Sequence, residues 1–159
     1  MKIDNLLLTK GETLVYLQDK LSSSIIPKTI LVNVCEFFKN PTSQLENIKA
    51  HFPSSNVELA IRSSASDEDK IGQTQAGLYH SVLNVEINPT SISDAINTVV
   101  ESYSKGAHGR DSVEQQVIIQ EMVSDVSSAG VLFTMDMKYG APYFTINYDD
   151  VSGRTDTIT

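Results

Sequence analysis

The sequence is poor in cysteine, in basic charge and in long apolar runs, and each shortage excludes a class of protein. Cys35 is the only cysteine, so no internal disulfide can form. Its neighbours Val34, Phe37 and Phe38 mark it as a buried thiol rather than a nucleophile. Against 20 acidic residues stand 12 basic ones, a formal net charge of -8, which argues against a nucleic-acid or anionic-membrane partner, although a local basic pocket can still bind an anion. No apolar run approaches the roughly 20 residues of a membrane span, and Leu6-Leu7-Leu8 is too short for a signal-peptide core. A cytoplasmic protein is therefore expected. With 159 residues, 40% of them hydrophobic, the chain has material for one core.

Local patterns predict an α+β fold. Thr9-Lys10-Gly11-Glu12 has capping-box spacing and starts a helix near Lys10, with Leu14, Leu17 and Leu21 at helical spacing. A strand over Lys28 to Val34 and a helix after Pro41 complete an αβα opening, residues 1–56. In the remainder, 57–159, a strand over Val57 to Ile61 gives way to a loop of small and acidic residues from Arg62 to Asp69, and apolar character returns over Leu78 to Val85. Ile92, Ala95, Ile96, Val99, Val100 and Tyr103 repeat as one helix face, which Ser91 and Asp94 can cap and Gly106 can stop. Three β-prone runs follow, Gln116 to Val123, Gly130 to Thr134 and Pro142 to Tyr148, and suit one antiparallel sheet. The segment His108 to Asp111 reads as an exposed connection.

Four segments could carry chemistry. Lys10 at a helix start opposes the helix dipole, a conflict an anion would remove, and the free amides there favour phosphate; otherwise Lys10 is an exposed lysine with its stem on the first turn. Arg62, emerging at the end of its strand beside Ser63 and Ser64, can grip phosphate or pair locally with Asp67, Glu68 or Asp69. That acidic cluster lacks the glycine and closing glutamate of a calcium loop. Gly72 to Gly77 can lie over a phosphate chain or be a hairpin turn, and it lacks the Gly-Lys-Ser/Thr of a Walker loop. Gln120-Glu121-Met122-Val123 is a strand end whose backbone and carboxylate could read an adenine edge.

In order along the chain, Ala60-Ile61-Arg62-Ser63-Ser64-Ala65, Glu68-Asp69, Ala76-Gly77, Leu83-Asn84-Val85, Ile119 to Val123 and Ala129 to Thr134 resemble the motifs of the phosphoenolpyruvate synthase and pyruvate phosphate dikinase family. The resemblance spans roughly residues 57 to 153, with Thr9 to Leu14 a looser match to the family's glycine-lysine-glycine opening. Gln75 and Met137 depart from the pattern. It implies an ATP-grasp nucleotide-binding domain in which Lys10 and Arg62 hold phosphate and serve catalysis, Thr74 and Gly77 belong to a phosphate-covering loop, and Gln120, Glu121, Met122 and Val123 form the adenine hinge, Glu121 facing the amino group. It further implies Mg²⁺ bound by residues downstream of Thr159, and partners in the remaining domains of a longer enzyme, including one that carries a phosphohistidine. None of His51, His80 and His108 has that histidine's context. The opening and the segment Ile146 to Asp156 look most like a capsule-locus branch that includes an L-glutamine kinase. This chain alone is then expected to retain the nucleotide-facing side of the enzyme without turnover. The contrasting reading is a non-catalytic interaction module built on the same scaffold.

Overall fold

The computed structural model describes residues 8–54, 56–64, 79–103, 115–136 and 138–152. It divides into two compact units, Met1–Met122 and Val123–Thr159. Within the first unit the opening third of the chain contributes a strand to the same sheet as the middle third. The fold is α+β.

The first unit holds α1 (Lys10–Gln18), β1 (Thr29–Asn33), α2 (Val34–Lys39), α3 (Pro41–His51), β2 (Leu59–Ser64), β3 (Ser81–Val85), α4 (Pro89–Tyr103) and β4 (Gln116–Glu121). Its four strands lie in the order β1-β4-β2-β3, all neighbours antiparallel. Side chains alternate between the faces of a strand, and paired residues share a face. One face presents Val32, Leu59, Ile61, Val117 and Ile119, all buried, to a core completed by Ile92, Ile96, Val99 and Val100 of α4 and by Phe37, Ile48 and Phe52. Each such side chain withdrawn from water contributes roughly 1.5–3 kcal/mol to be set against chain entropy.

The apolar stripe of α4 is buried along its whole predicted length. Its cap differs from the expected one. The Ser91 amide donates to Asn88 Oδ1 at 2.8 Å, and Asn88 Nδ2 returns a bond to Ser91 Oγ at 2.9 Å, so Asn88 caps the helix and Pro89 takes the first helical position. Gly106 lies outside the described residues. Cys35 is half-buried on α2, a short helix that follows directly on β1 where the sequence pattern shows only a strand end. Between β2 and β3 the register slips, and Asn84 there adopts φ 56°, a left-handed conformation that asparagine tolerates better than most residues.

In the second unit β5 (Ala129–Phe133) pairs antiparallel with β6 (Thr145–Asp149), a separate two-stranded sheet. The three late strands therefore do not share one sheet: β4 is taken by β1 and β2. Asp136 organises the connection, its carboxylate accepting from the Lys138 and Tyr139 amides at 2.9 and 2.6 Å, and Gly140 closes the turn at φ 66°. Among the described residues no helix is long and apolar enough to cross a membrane.

Candidate nucleotide-binding site

The second face of the four-stranded sheet carries Leu31, Ala60, Arg62, Ser64, Gln116, Ile118 and Gln120, and α1 packs on it through Gly11. A Cβ on Gly11 would stand 2.3 Å from Leu31 Cδ2, 2.9 Å from Ser64 Oγ and 3.0 Å from Ile118 Cγ1. Only a glycine lets the helix approach this closely. The Gly11 amide donates to Ser64 Oγ at 3.0 Å in a buried bond. Gln116 ties the same turn down: its Oε1 accepts from Thr9 Oγ1 at 3.2 Å and its Nε2 donates to Glu12 Oε1 at 3.3 Å. The capping box is complete, with Thr9 Oγ1 accepting from the Glu12 amide and the Glu12 carboxylate accepting from the Thr9 amide.

These bonds revise two expectations for Lys10. The amides of Gly11 and Glu12 have protein acceptors, so the helix start is a docked element and not a bare row of donors. Glu12 already supplies a carboxylate to the first turn, so the dipole conflict attributed to Lys10 has a local answer. What the geometry retains is position: Lys10 is held, half-buried, beside the residue that touches Ser64.

Arg62 does not emerge from a strand end. It lies within β2, opposite Ile118 on one side and Ser81 on the other, half-buried, and two residues from Ser64 on the same face. The Ser64 hydroxyl beside it anchors α1. The Ser64 amide donates to Tyr103 Oη at 3.2 Å, and Tyr103 Oη donates to the Gln116 carbonyl, so the last residue of α4 fastens β2 to β4. Thus the start of α1 and the latter half of β2, 53 residues apart, meet on one sheet face.

At the other end of that face, Gln120 Nε2 donates to Thr29 Oγ1 at 2.8 Å. The amides of Glu121 and Met122 donate to the carbonyls of Lys28 and Glu58, both at 2.9 Å, and so extend the sheet. Alternation sends the Glu121 side chain to the opposite face from Arg62, where it lines a cavity of about 80 Å³ with Lys28, Phe52, Pro53, Ser54 and Val57. Ligand pockets commonly hold 300–1,000 Å³. Lys28 Nζ sits 5.8 Å over the Phe52 ring, and burial, reinforced by the Lys28 charge, lowers the pKa of the adjacent His51. A wider cleft of about 390 Å³ includes Glu58 and Glu86 in its lining, the wrong charge for phosphate. Met122 is half-buried, and Val123 is exposed in the second unit. Thr74 and Gly77 lie outside the described residues. Ser64, Gln116 and Tyr103 were not singled out as functional from sequence; the S/T-x-x-E box signalled the helix start but not its distant partners.

Comparison with protein families supplies the deciding observation. The model for the AMP/ATP-binding domain of pyruvate phosphate dikinase matches residues 12–155. The chain belongs to this family. As a member, it is an ATP-binding domain of the kind found in phosphotransferases related to pyruvate phosphate dikinase and phosphoenolpyruvate synthase. The matched span contains Arg62 and the segment Gln120 to Val123 and begins two residues after Lys10. Among curated proteins none shows significant similarity to the chain.

Proposed function

We propose that this domain binds the triphosphate of ATP on the α1-bearing sheet face, with Lys10 and Arg62 as phosphate ligands and the strand end Gln120 to Val123 at the adenine, through its backbone and the Gln120 side chain, since the Glu121 side chain lies on the opposite face. Thr74 and Gly77 cover the phosphates in this reading. The observation that supports it most is the Gly11–Ser64 bond, which draws the neighbours of both cations together. A planar guanidinium can hold two phosphate oxygens at once, and an ammonium adds a second positive charge beside the phosphate chain, where charge develops on the leaving oxygen.

The domain would serve a longer enzyme in which ATP and a water molecule react with a histidine on a separate domain, one phosphoryl going to the histidine and the other to water, so that AMP and phosphate leave and the histidine's phosphoryl group then passes to an acceptor. The opening and the late acidic segment favour the amide of L-glutamine as that acceptor, in capsule synthesis in the cytoplasm. Magnesium would neutralise phosphate charge during transfer. Among the described residues no group of three or more His, Cys, Asp or Glu side chains is placed to hold a metal ion.

The test is AMP release from ATP by the enzyme containing this domain, with and without L-glutamine. Release that requires glutamine and falls at least tenfold in Arg62→Ala supports the reading. An unchanged rate in Arg62→Ala removes that residue from the mechanism, and release indifferent to glutamine removes the acceptor.

A further inference from the structure

Two hydrogen bonds at the end of the α1-bearing face fix the polarity of one side chain. Thr29, 4% exposed, donates its hydroxyl proton to the Pro27 carbonyl at 2.6 Å. A carbonyl oxygen can only accept, so the Thr29 proton is committed and the hydroxyl offers Gln120 nothing but a lone pair. Gln120 must therefore turn its NH₂ group toward Thr29, at 2.8 Å, and its Oε1 away from it. An unrestrained glutamine can present either end of its amide. This one is committed to presenting an acceptor.

That acceptor lies on the same sheet face as Arg62, whereas the side chain of Glu121, the other acceptor at this strand end, lies on the opposite face. We infer that Thr29 is a specificity-determining positioning residue: by fixing the Gln120 amide it makes Gln120 Oε1 an acceptor for an exocyclic amino group, selecting a 6-amino purine over a 6-oxo purine. The inference rests on the ATP-binding reading and deepens it. A 6-oxo purine would set its carbonyl oxygen against Oε1, leaving two lone pairs facing each other where the 6-amino base makes a bond.

The experiment is titration of the protein with ATP and with inosine triphosphate, the same triphosphate on a 6-oxo base, for wild type, Thr29→Val, Thr29→Ser, Gln120→Met and Arg62→Ala. Wild type should prefer ATP by roughly two- to tenfold, the range of one net hydrogen bond. Thr29→Ser keeps the acceptor and should keep the preference. Thr29→Val and Gln120→Met should lose it, and the side-chain NH₂ resonance of Gln120 should lose its protection from exchange in Thr29→Val. Gln120→Met leaves Thr29 untouched and decides the matter if Thr29→Val fails to fold. Arg62→Ala should weaken both nucleotides equally without changing their ratio. A preference retained in both Thr29→Val and Gln120→Met overturns the inference, as does a wild type that does not discriminate. Unchanged affinities in Arg62→Ala, with the ratio still dependent on Thr29, overturn the phosphate assignment alone.

Discussion

The backbone amide of Gly11 donates to the hydroxyl of Ser64 at 3.0 Å, at a point where the helix lies too close to the sheet for any side chain. The bond is small in energy, but it sets where Lys10 stands relative to β2. Three features act together there: the missing Cβ of Gly11, the buried Ser64 acceptor and the Gln116 side chain that bridges Thr9 and Glu12. We expect Gly11→Ala to destabilise the domain by about 1–3 kcal/mol, since Leu31, Ser64 and Ile118 must all shift. Ser64→Ala should cost about 1–3 kcal/mol by leaving a buried amide without its acceptor. Urea unfolding of both variants measures these losses. The two changes should be less than additive in combination, because each breaks the same contact.

The core makes a separate prediction. Ile96 is fully buried at the centre of the α4 stripe, and Ile96→Ala should cost about 2–5 kcal/mol as lost transfer energy plus a residual cavity. Leu83, half exposed on β3, should lose far less on the same change. Thermal unfolding of the two variants should separate them clearly.

His51 makes a prediction about pH. Burial and the nearby Lys28 charge lower its pKa in the folded state below the ordinary 6.5, so the unfolded chain binds the proton more readily. The histidine contributes no penalty well above pH 6.5, and a growing one as pH falls through that value. Stability should therefore decline from neutral pH downward, and His51→Gln should remove that part of the decline. Urea midpoints measured across this range provide the check, and parallel curves for wild type and variant would contradict it.

Much of this fold was legible in the sequence, for reasons that differ by element. The α4 stripe was visible because burial on one side of a long helix imposes a 3.6-residue period. The start of α1 was visible because both arms of its capping box are local. Arg62-Ser63-Ser64 is polar, and polarity resembles a loop, so the sequence pattern ends the strand before Arg62; pairing of Arg62 with Ile118 and Ser81 keeps it in β2. The sequence offers Ser91 and Asp94 as caps for α4 whereas Asn88 makes the bond, since several side chains there are able to cap and only geometry chooses. For the candidate site, the ordered motifs point to Arg62 and the Gln120 segment as candidates, while the hydrogen bonds of Ser64, Gln116, Tyr103 and Thr29 depend on partners far along the chain. Alternation also parts neighbours that the sequence joins: Gln120 lies on the Arg62 face and the Glu121 side chain on the other.

In the proposed function, one sheet face holds the phosphates of ATP between Lys10 and Arg62. The most direct test is ATP titration of the wild-type protein against Lys10→Ala, Arg62→Ala and, as a control on the wider acidic cleft, Glu86→Gln. Each cation variant should weaken binding by roughly tenfold or more, the scale of a charge-assisted hydrogen bond, while Glu86→Gln should leave it unchanged. ATP binding that survives intact in both cation variants would contradict it.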